Sequence, residues 1–566
     1  MGVLLCGMKH WAMPEKRRNY RKLLFADQAD QNLAKPTALI DESIGFAFAR
    51  ERERAAVFAL AQEVSLPRMI RFAAVALGFA VTLGGFSIDA GADVNVTKRY
   101  VVVLAGTEAV EGFVAVDRAA ALALVQTAGG FVQNDLSSQV GVLMVESSNV
   151  LFAQALKSSP LVAEVGQDWR WQAFPSYEQA VASGQLTVCD RQKCPPGGPE
   201  QTADPLEALQ WDMDQIDAPE AHAVQAGSRS VDVGILDSGV DGRHPDFFVD
   251  GAGSNVDCAR GHNSVSFLPT GPGVGTPDPC VDNQFHGTHV AGTVAAQANG
   301  IGVVGVAPNV TLVPVKTCDA SGYCYASAVV DAITYAGDAK LDVVNMSFFV
   351  DDDEFQQSTE FKCTSDPTQR SFREAVERAL RYAVKRGVTP VAALGNSDQD
   401  LANPKDENGN PISNECEVVP AESPGVIGTT ALGSSSEKAS YSNYGFGEAD
   451  VAAPGGNGTT GDCRTTILST LPGGLYGCIQ GTSMASPHAA GVAALIVSQF
   501  GKLKGNDVDM APSEVQSRLQ ETAVDIGLPG YDECFGHGRV NALRAVTNDR
   551  SLVRDASAPN CPEYTE

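Results

Sequence analysis

A chain of 566 residues, 44% hydrophobic and 19% charged, has room for more than one domain and the balance of a globular protein, which excludes a fibrous or wholly disordered one. Its net charge of −27 repels phosphate backbones and excludes nucleic acid as a partner. Of its 13 cysteines, Cys6 stands alone and the rest run from Cys189 to Cys561. An even set of this kind points to disulfides in an oxidising compartment, and the tight spacing and His pair of a zinc ribbon are missing.

Taken from the start, residues 1–68 read as an upstream extension or a mis-assigned start. Phe72–Phe86 (FAAVALGFAVTLGGF) follows Arg68 and Arg71 and precedes the small-residue run Ala90-Gly91-Ala92. This is the pattern of a signal peptide over 69–92 that starts at Met69; the rival reading is an uncleaved anchor, for which the apolar run is short. The protein is therefore expected to be secreted, with no stable membrane association. Residues 99–174 read as a small α+β module, with strands at Tyr100–Leu104, Val140–Val145 and Val162–Trp169 and helices at Ala119–Ala128 and Leu151–Lys157. The Pro- and Gly-rich stretch 175–205 reads as a linker.

From Leu206 to about residue 548 the pattern alternates. Strands are expected at Val231–Leu236, Thr311–Val315, Val343–Ser347, Val388–Leu394 and Val426–Leu432, and helices at Ala326–Ala339 and Ser371–Arg386. Ser513-x-x-Gln516 resembles a capping box that opens a further helix. Such alternation predicts an α/β fold whose mostly parallel sheet is covered on both faces. Pairing cysteines with their sequence neighbours gives Cys189–Cys194, Cys258–Cys280, Cys318–Cys324, Cys363–Cys416, Cys463–Cys478 and Cys534–Cys561, one of many connectivities the count allows. Residues 549–566 read as a tail tethered through Cys561.

Three segments carry chemistry. Asp237 ends an apolar strand in ILDSGVDGRHPDF, where open α/β sheets place functional groups. His286 opens HGTHVAGTVAA, a helix with one side small enough for close approach; His289 reads as structural. Ser483 lies in GTSMASPHAAGVAAL, where Pro487 fits only if a helix has just begun, and His488 reads as structural. A serine hydroxyl needs a base to take its proton, and that base needs an acceptor to fix its tautomer. Asp, His, Ser is one of the chain orders in which this constellation occurs.

These segments resemble the three active-site signatures of subtilisin-like serine proteases, the subtilases. The resemblance spans about residues 206–548, with an insertion bearing Cys258 and Cys280 between the first two motifs. It implies a subtilisin-like three-layer α/β fold with a mostly parallel central sheet, preceded by a small α+β propeptide at 99–174. It implies a catalytic triad of Asp237, His286 and Ser483, with Asn396 in VAALGNS and the Ser483 amide as oxyanion donors. Protein or peptide substrates would lie between Ser321-Gly322-Tyr323 and Ser347-Phe348-Phe349. Phe349 stands where the family often has Gly and is expected to narrow a nearby pocket, while the acidic run Asp351–Glu354 reads as a solvated loop. A calcium ion would be held by Asp246, Asn299 and the carbonyls of Gln297, Ile301 and Val303. Besides substrates, the expected partner is the chain's own propeptide. An inactive binding protein on the same fold and a narrow processing protease are the alternatives.

Overall fold

The computed structural model describes residues 97–109, 111–168, 170–189, 204–249, 253–265, 277–350, 361–406, 408–458, 462–505 and 507–561. The chain divides into Met1–Gly91 and Ala92–Glu566, and every described residue belongs to the second unit. The readings for 1–68 and 69–92, the acidic run Asp351–Glu354 and the Cys194 half of its expected pair lie outside the described residues.

The first elements are β1 (Lys98–Leu104), α1 (Arg118–Thr127), β2 (Gly130–Leu136), β3 (Val142–Ser147), α2 (Phe152–Lys157) and β4 (Val162–Gln167). They form an antiparallel sheet in the order β2-β3-β1-β4. Side chains alternate across β1 as the strand period requires. Tyr100, Val102 and Leu104 pack with Phe152 and Leu156 of α2, whereas Val101 and Val103 join the larger core on the sheet's other face. The α+β order matches the sequence reading, with β2 and a short antiparallel hairpin of Gly106–Ala109 and Gly112–Ala115 added; β2 is mostly exposed or half-buried and lacks an apolar run.

The stretch read as a linker is partly folded. After β5 (Arg170–Gln172) come α3 (Tyr177–Ser183) and β6 (Thr187–Cys189). Ser176 opens α3 with a complete capping box: its hydroxyl accepts from Gln179 N at 3.3 Å, and Gln179 Oε1 accepts from Ser176 N at 2.8 Å.

The body follows with β7 (Asp232–Asp237), β8 (His262–Asn263), α4 (His286–Ala295), β9 (Thr311–Lys316), β10 (Tyr323–Tyr325), α5 (Ala326–Ala339), β11 (Val343–Met346), α6 (Pro367–Lys385), β12 (Thr389–Ala393), β13 (Ile427–Leu432), β14 (Val451–Pro454), β15 (Ile467–Leu471), β16 (Leu475–Ile479), α7 (Thr482–Phe500) and α8 (Pro512–Glu521). Seven strands form one wholly parallel sheet in the order β8-β9-β7-β11-β12-β13-β14. Val233, Ile235, Leu312 and Val391 pack on one face with α4 and α7, and Leu236, Val313, Val344 and Ala392 on the other with α5 and α6. This is the three-layer subtilisin-like arrangement expected. The second face of the β2-β3-β1-β4 sheet shares the α5–α6 core through Val101, Val103, Val142 and Met144.

Two helix starts differ from expectation. Asp366 caps α6 by accepting from Thr368 N and Gln369 N, and Pro367 takes the first helical position, so α6 begins before Ser371. Pro512 likewise starts α8 after Ala511, so Ser513 lies inside the first turn and forms no capping box.

Five of the neighbour pairings form: Cys258–Cys280, Cys318–Cys324, Cys363–Cys416, Cys463–Cys478 and Cys534–Cys561. Cys189 is also disulfide-bonded. The tail is held by Cys561 and by Asp525 N donating to the Val553 carbonyl. Among the described residues, no helix is long and apolar enough to cross a membrane.

Candidate active site

Asp237 is the last residue of the central strand β7 and is fully buried. His286, the first residue of α4, places Nδ1 3.1 Å from Oδ1 and 3.0 Å from Oδ2 of Asp237. A small helix face permits this approach, as the sequence suggested. A Cβ on Gly287 would sit 2.1 Å from the Gly239 carbonyl, and one on Gly292 would sit 2.2 Å from Thr470 Oγ1.

The start of α4 is held by a residue the motif reading missed. Asp282 accepts through Oδ1 from Gln284 N (2.9 Å), Phe285 N (3.0 Å) and Ser238 Oγ (3.0 Å), and through Oδ2 from Thr288 N (3.0 Å) and Thr288 Oγ1 (2.7 Å). Phe285, just before the histidine, has φ 140, a costly conformation for a side chain with a Cβ. Asp282 pays that cost by fixing both flanks of the bend. Its sequence signal is weak: a lone Asp four residues before a helix start.

His289 lies on the same helix, fully buried, with Nε2 3.1 Å from the Ile467 and Gly477 carbonyls. Burial, with the nearby His286, lowers its pKa to about 3. His488 is enclosed between the Met484 carbonyl and Asp212, with Nε2 3.0 Å from Oδ2. Both are structural, as expected.

Ser483 is the second residue of α7. Pro487, four residues on, has no N–H to give the Ser483 carbonyl. The Ser347 hydroxyl takes that carbonyl instead at 2.8 Å, Asn345 Nδ2 donates to the same hydroxyl at 2.8 Å, and Ser486 Oγ fixes Asn345 at 2.6 Å. The end of β11 is thereby tied to the start of α7. Ser483 Oγ itself donates to the Ser347 carbonyl at 3.1 Å, not to His286.

Asn396 follows β12. Its Oδ1 accepts from Thr482 N (2.8 Å) and Thr482 Oγ1 (2.9 Å). A backbone N–H only donates, so the atom facing it is the oxygen and Nδ2 is left on the cavity side. His286, Ser483 and Asn396 line one cavity of about 370 Å³. A pocket holding an imidazole, a hydroxyl and amide donors can perform acyl transfer.

A stretch of the chain itself enters this site. β5 pairs antiparallel with β10, with Gln172 opposite Tyr323 and Trp171 opposite Cys324. Ala173 N and Phe174 N donate to the Gly322 carbonyl at 2.9 and 3.3 Å, and Gln172 Nε2 donates to the Ser321 carbonyl at 3.1 Å. The rim expected at Ser321-Gly322-Tyr323 thus holds an extended strand, stiffened by Cys318–Cys324. The Phe174 ring stacks on His286 with centroids 3.7 Å apart. Phe348 is buried and Phe349 half-buried against the core that contains Trp171 and Phe174. Neither is among the residues that line the cavity shared by His286 and Ser483.

Residues expected to bind calcium converge at one loop. Asp246 is fully buried; Oδ2 accepts from Val303 N at 3.0 Å and Oδ1 has no hydrogen-bond partner. Burial pushes its carboxyl up to about 8, opposed by the Val303 N–H and raised further by the Asp204 charge. Asp204, missed in the sequence, braces the loop by accepting from Asn299 N (3.1 Å), Gly300 N (2.8 Å) and Ile301 N (3.1 Å). The Gln297 side chain is spent on the Phe247 carbonyl and Arg229, leaving only its backbone as a donor to a cation. Asn299 Oδ1 accepts from Ile301 N at 3.1 Å and its Nδ2 donates to the Phe248 carbonyl at 2.8 Å, so a hard cation would rely on the unfilled Asp246 oxygen, the loop carbonyls and the second lone pair of Asn299 Oδ1.

A family model described as the Subtilase family matches residues 228–538. The chain is 34% identical over 340 residues to Subtilisin NAT of Bacillus subtilis subsp. natto, covering 60% of this chain and 72% of that protein. Over the same length it is 34% identical to Subtilisin of Bacillus pumilus, covering 99% of it. Among solved structures it resembles the Epidermin Leader Peptide Processing Serine Protease of Staphylococcus aureus, with a TM-score of 0.59 and 20% identity over 80% of this chain and 99% of that one. That likeness concerns the fold.

Proposed function

The chain belongs to the subtilase family and is a serine endopeptidase; from that premise we propose that Asp237, His286 and Ser483 form its catalytic triad in a secreted, self-processing precursor. The observation that carries this reading is the Asp237–His286 contact at 3.0 Å beside a cavity shared by His286, Ser483 and Asn396. Ser483 Oγ attacks the peptide carbonyl while His286 takes its proton. Asp237 holds the imidazole in the needed tautomer and stabilises its charged form. Asn396 Nδ2 and the Ser483 N–H receive the oxyanion. His286 then protonates the leaving amine, and water repeats the steps to free the enzyme.

Residues 99–174 act as the propeptide. The support is the strand 170–172 on β10 and the Phe174 ring on His286, which keep substrate out and leave Ser483 turned to Ser347. Substrates enter in the same extended form, as an added strand. Secretion is supported by the disulfides, which suit an oxidising compartment, together with the signal-peptide pattern at 69–92.

The test compares protein expressed from Met69 with its Ser483→Ala form. The first is expected to shorten by a cut between Trp171 and Leu206 and to react with a serine-directed fluorophosphonate; the second stays full length and unlabelled. Equal shortening of both would remove self-processing, and an unlabelled first protein would remove the triad.

Calcium, held by Asp246, Asn299 and the carbonyls of Gln297, Ile301 and Val303, would neutralise the buried carboxylate and fix the loop. Chelation is then expected to lower Tm in the parent but not in Asp246→Asn. Equal Tm with and without chelator in the parent would exclude the site.

A further inference from the structure

The chain is seated differently on the two sides of Phe174. Up to Phe174 it rests on α5, α6 and β10. From Pro175 to Cys189 it is built into the body beside the same cavity that Ser483 lines. The Pro175 carbonyl accepts from Gln284 Nε2 at 2.7 Å, and the Tyr177 ring meets Phe285 edge-on with centroids 6.0 Å apart. Ala180 and Leu186 are 1% and 2% exposed and belong to the core built on α4 and α7. β6 extends the β15–β16 sheet, with Thr187 opposite Cys478 and Cys189 opposite Tyr476.

Direction then assigns the sides. β5 runs along β10 towards His286, so residues before a reacting carbonyl lie on the β10 side. The chain runs on from Phe174, stacked on His286, into Pro175, held by Gln284, so residues after that carbonyl run towards 175–189. Ala180 and Gln185 line the same cavity as Ser483 and Asn396.

Resting on the proposed protease reading, we infer that residues 175–189 remain with the matured enzyme as a strap across the leaving-group side, where Ala180 and Gln185 restrict cleavage to substrates with a short segment after the scissile bond. The cavity of about 370 Å³ lies at the lower end of small-molecule pockets, roughly 300–1,000 Å³. It accepts a small amine or a short peptide; a long chain would have to displace the strap. Timing makes this matter for rate. Once the C–N bond breaks, the acyl part is on Ser483 Oγ and the proton from His286 is on the departing nitrogen. An amine that cannot leave attacks the ester again and restores the peptide, while water is kept out.

The experiment uses the matured protein produced from the full chain. Its N-terminus is sequenced, and kcat/KM is measured on three substrates sharing the acyl part Trp-Gln-Ala-Phe. One ends in p-nitroanilide, one in a two-residue leaving peptide and one in an eight-residue leaving peptide. The eight-residue substrate is expected to fall about tenfold or more below the two-residue one, a difference of about 1.4 kcal/mol. Leu186→Asp, which puts a carboxylate into the strap's buried latch, is expected to bring the two within about threefold while leaving the anilide rate unchanged. Should that variant fail to fold, Gln185→Gly at an exposed position is expected to narrow the gap by about threefold. A mature N-terminus after Cys189, or equal rates for both peptides beside good anilide turnover, overturns the strap alone. Absence of anilide turnover overturns the protease reading and the strap with it.

Discussion

The carboxamide of Asn396 has a single orientation open to it, because Thr482 offers a backbone N–H that only an oxygen can accept. Nδ2 is therefore preset towards the place where negative charge would develop, without reorganisation during the reaction. Asn396→Ala is expected to lower kcat by about 10²–10³ with little change in KM, the cost of one oxyanion donor. Thr482→Val keeps the N–H but loses the hydroxyl, and should cost less, about tenfold. An unchanged kcat in Asn396→Ala, measured on a chromogenic peptide, would remove Asn396 from the reaction. At this scale the candidate site was largely legible. Asp237, His286, Ser483 and Asn396 each sit in a long local motif, and motifs report residues whose neighbours along the chain shape them. Thr482 and Asp204 escaped because their partners are reached through space, and Asp282 because the local bend it holds has no residue signature. Asp282 closes a bend at Phe285 whose φ no residue type announces, and Asp204 braces a loop about ninety-five residues away.

Helix starts carry the lesson at the next scale. Ser176-x-x-Gln179 and Ser513-x-x-Gln516 offer the same signature, yet only the first forms a capping box. The difference is Pro512, whose fixed φ suits the first helical position and starts α8 one residue before Ser513. Pro175 stands outside α3 and leaves Ser176 to cap it. The surrounding Pro and Gly density made 175–205 read as a linker, although Tyr177–Ser183 and Thr187–Cys189 are ordered elements. α5 is a third case. Its own N-cap, Tyr325, makes no side-chain cap, and the caps come from outside: Asp168 Oδ1 accepts from Ser327 N at 3.1 Å and Oδ2 from Ser327 Oγ at 2.6 Å. Burial raises the Asp168 pKa, while the nearby Arg99 and the Ser327 donors pull it down. Asp168→Ala in the Ser483→Ala background should cost about 1 kcal/mol of helix-start stability. That is read as roughly fivefold faster amide exchange in the first turn of α5. Asp168→Asn keeps an acceptor and should lose less. Unchanged exchange in the alanine form would mean that the first turn of α5 holds without it.

At the scale of the whole molecule, the alternation of strands and helices was enough to foresee the parallel sheet, and five disulfides followed from pairing sequence neighbours; short loops are cheapest to close, and only Cys363–Cys416 closes a long one, with a separation of 53. What composition could not give is where the acidic charge sits. The chain carries −27, and several of its carboxyls are pushed up by burial rather than held down by partners, among them Glu417, Glu448 and Asp450. Glu422 is the clearest. Burial raises it to about 9; the Val418 N–H and Arg373 pull down, and Glu448 and Glu417 push up. A carboxyl whose folded value lies above its unfolded one binds its proton more tightly in the folded state. Its contribution to stability is complete below the ordinary glutamate value and is lost as pH rises from there towards about 9. Stability should accordingly decline from about pH 5 to about pH 9, the reverse of a protein held by salt-bridged carboxylates. Glu422→Gln keeps the shape and removes the titration. It is expected to match the parent near pH 5 and to melt about 2 °C or more above it near pH 8.5. Parallel Tm–pH curves for the two proteins would show that Glu422 is already ionised and solvated in the folded state, and the decline would then have to arise elsewhere among the acidic groups.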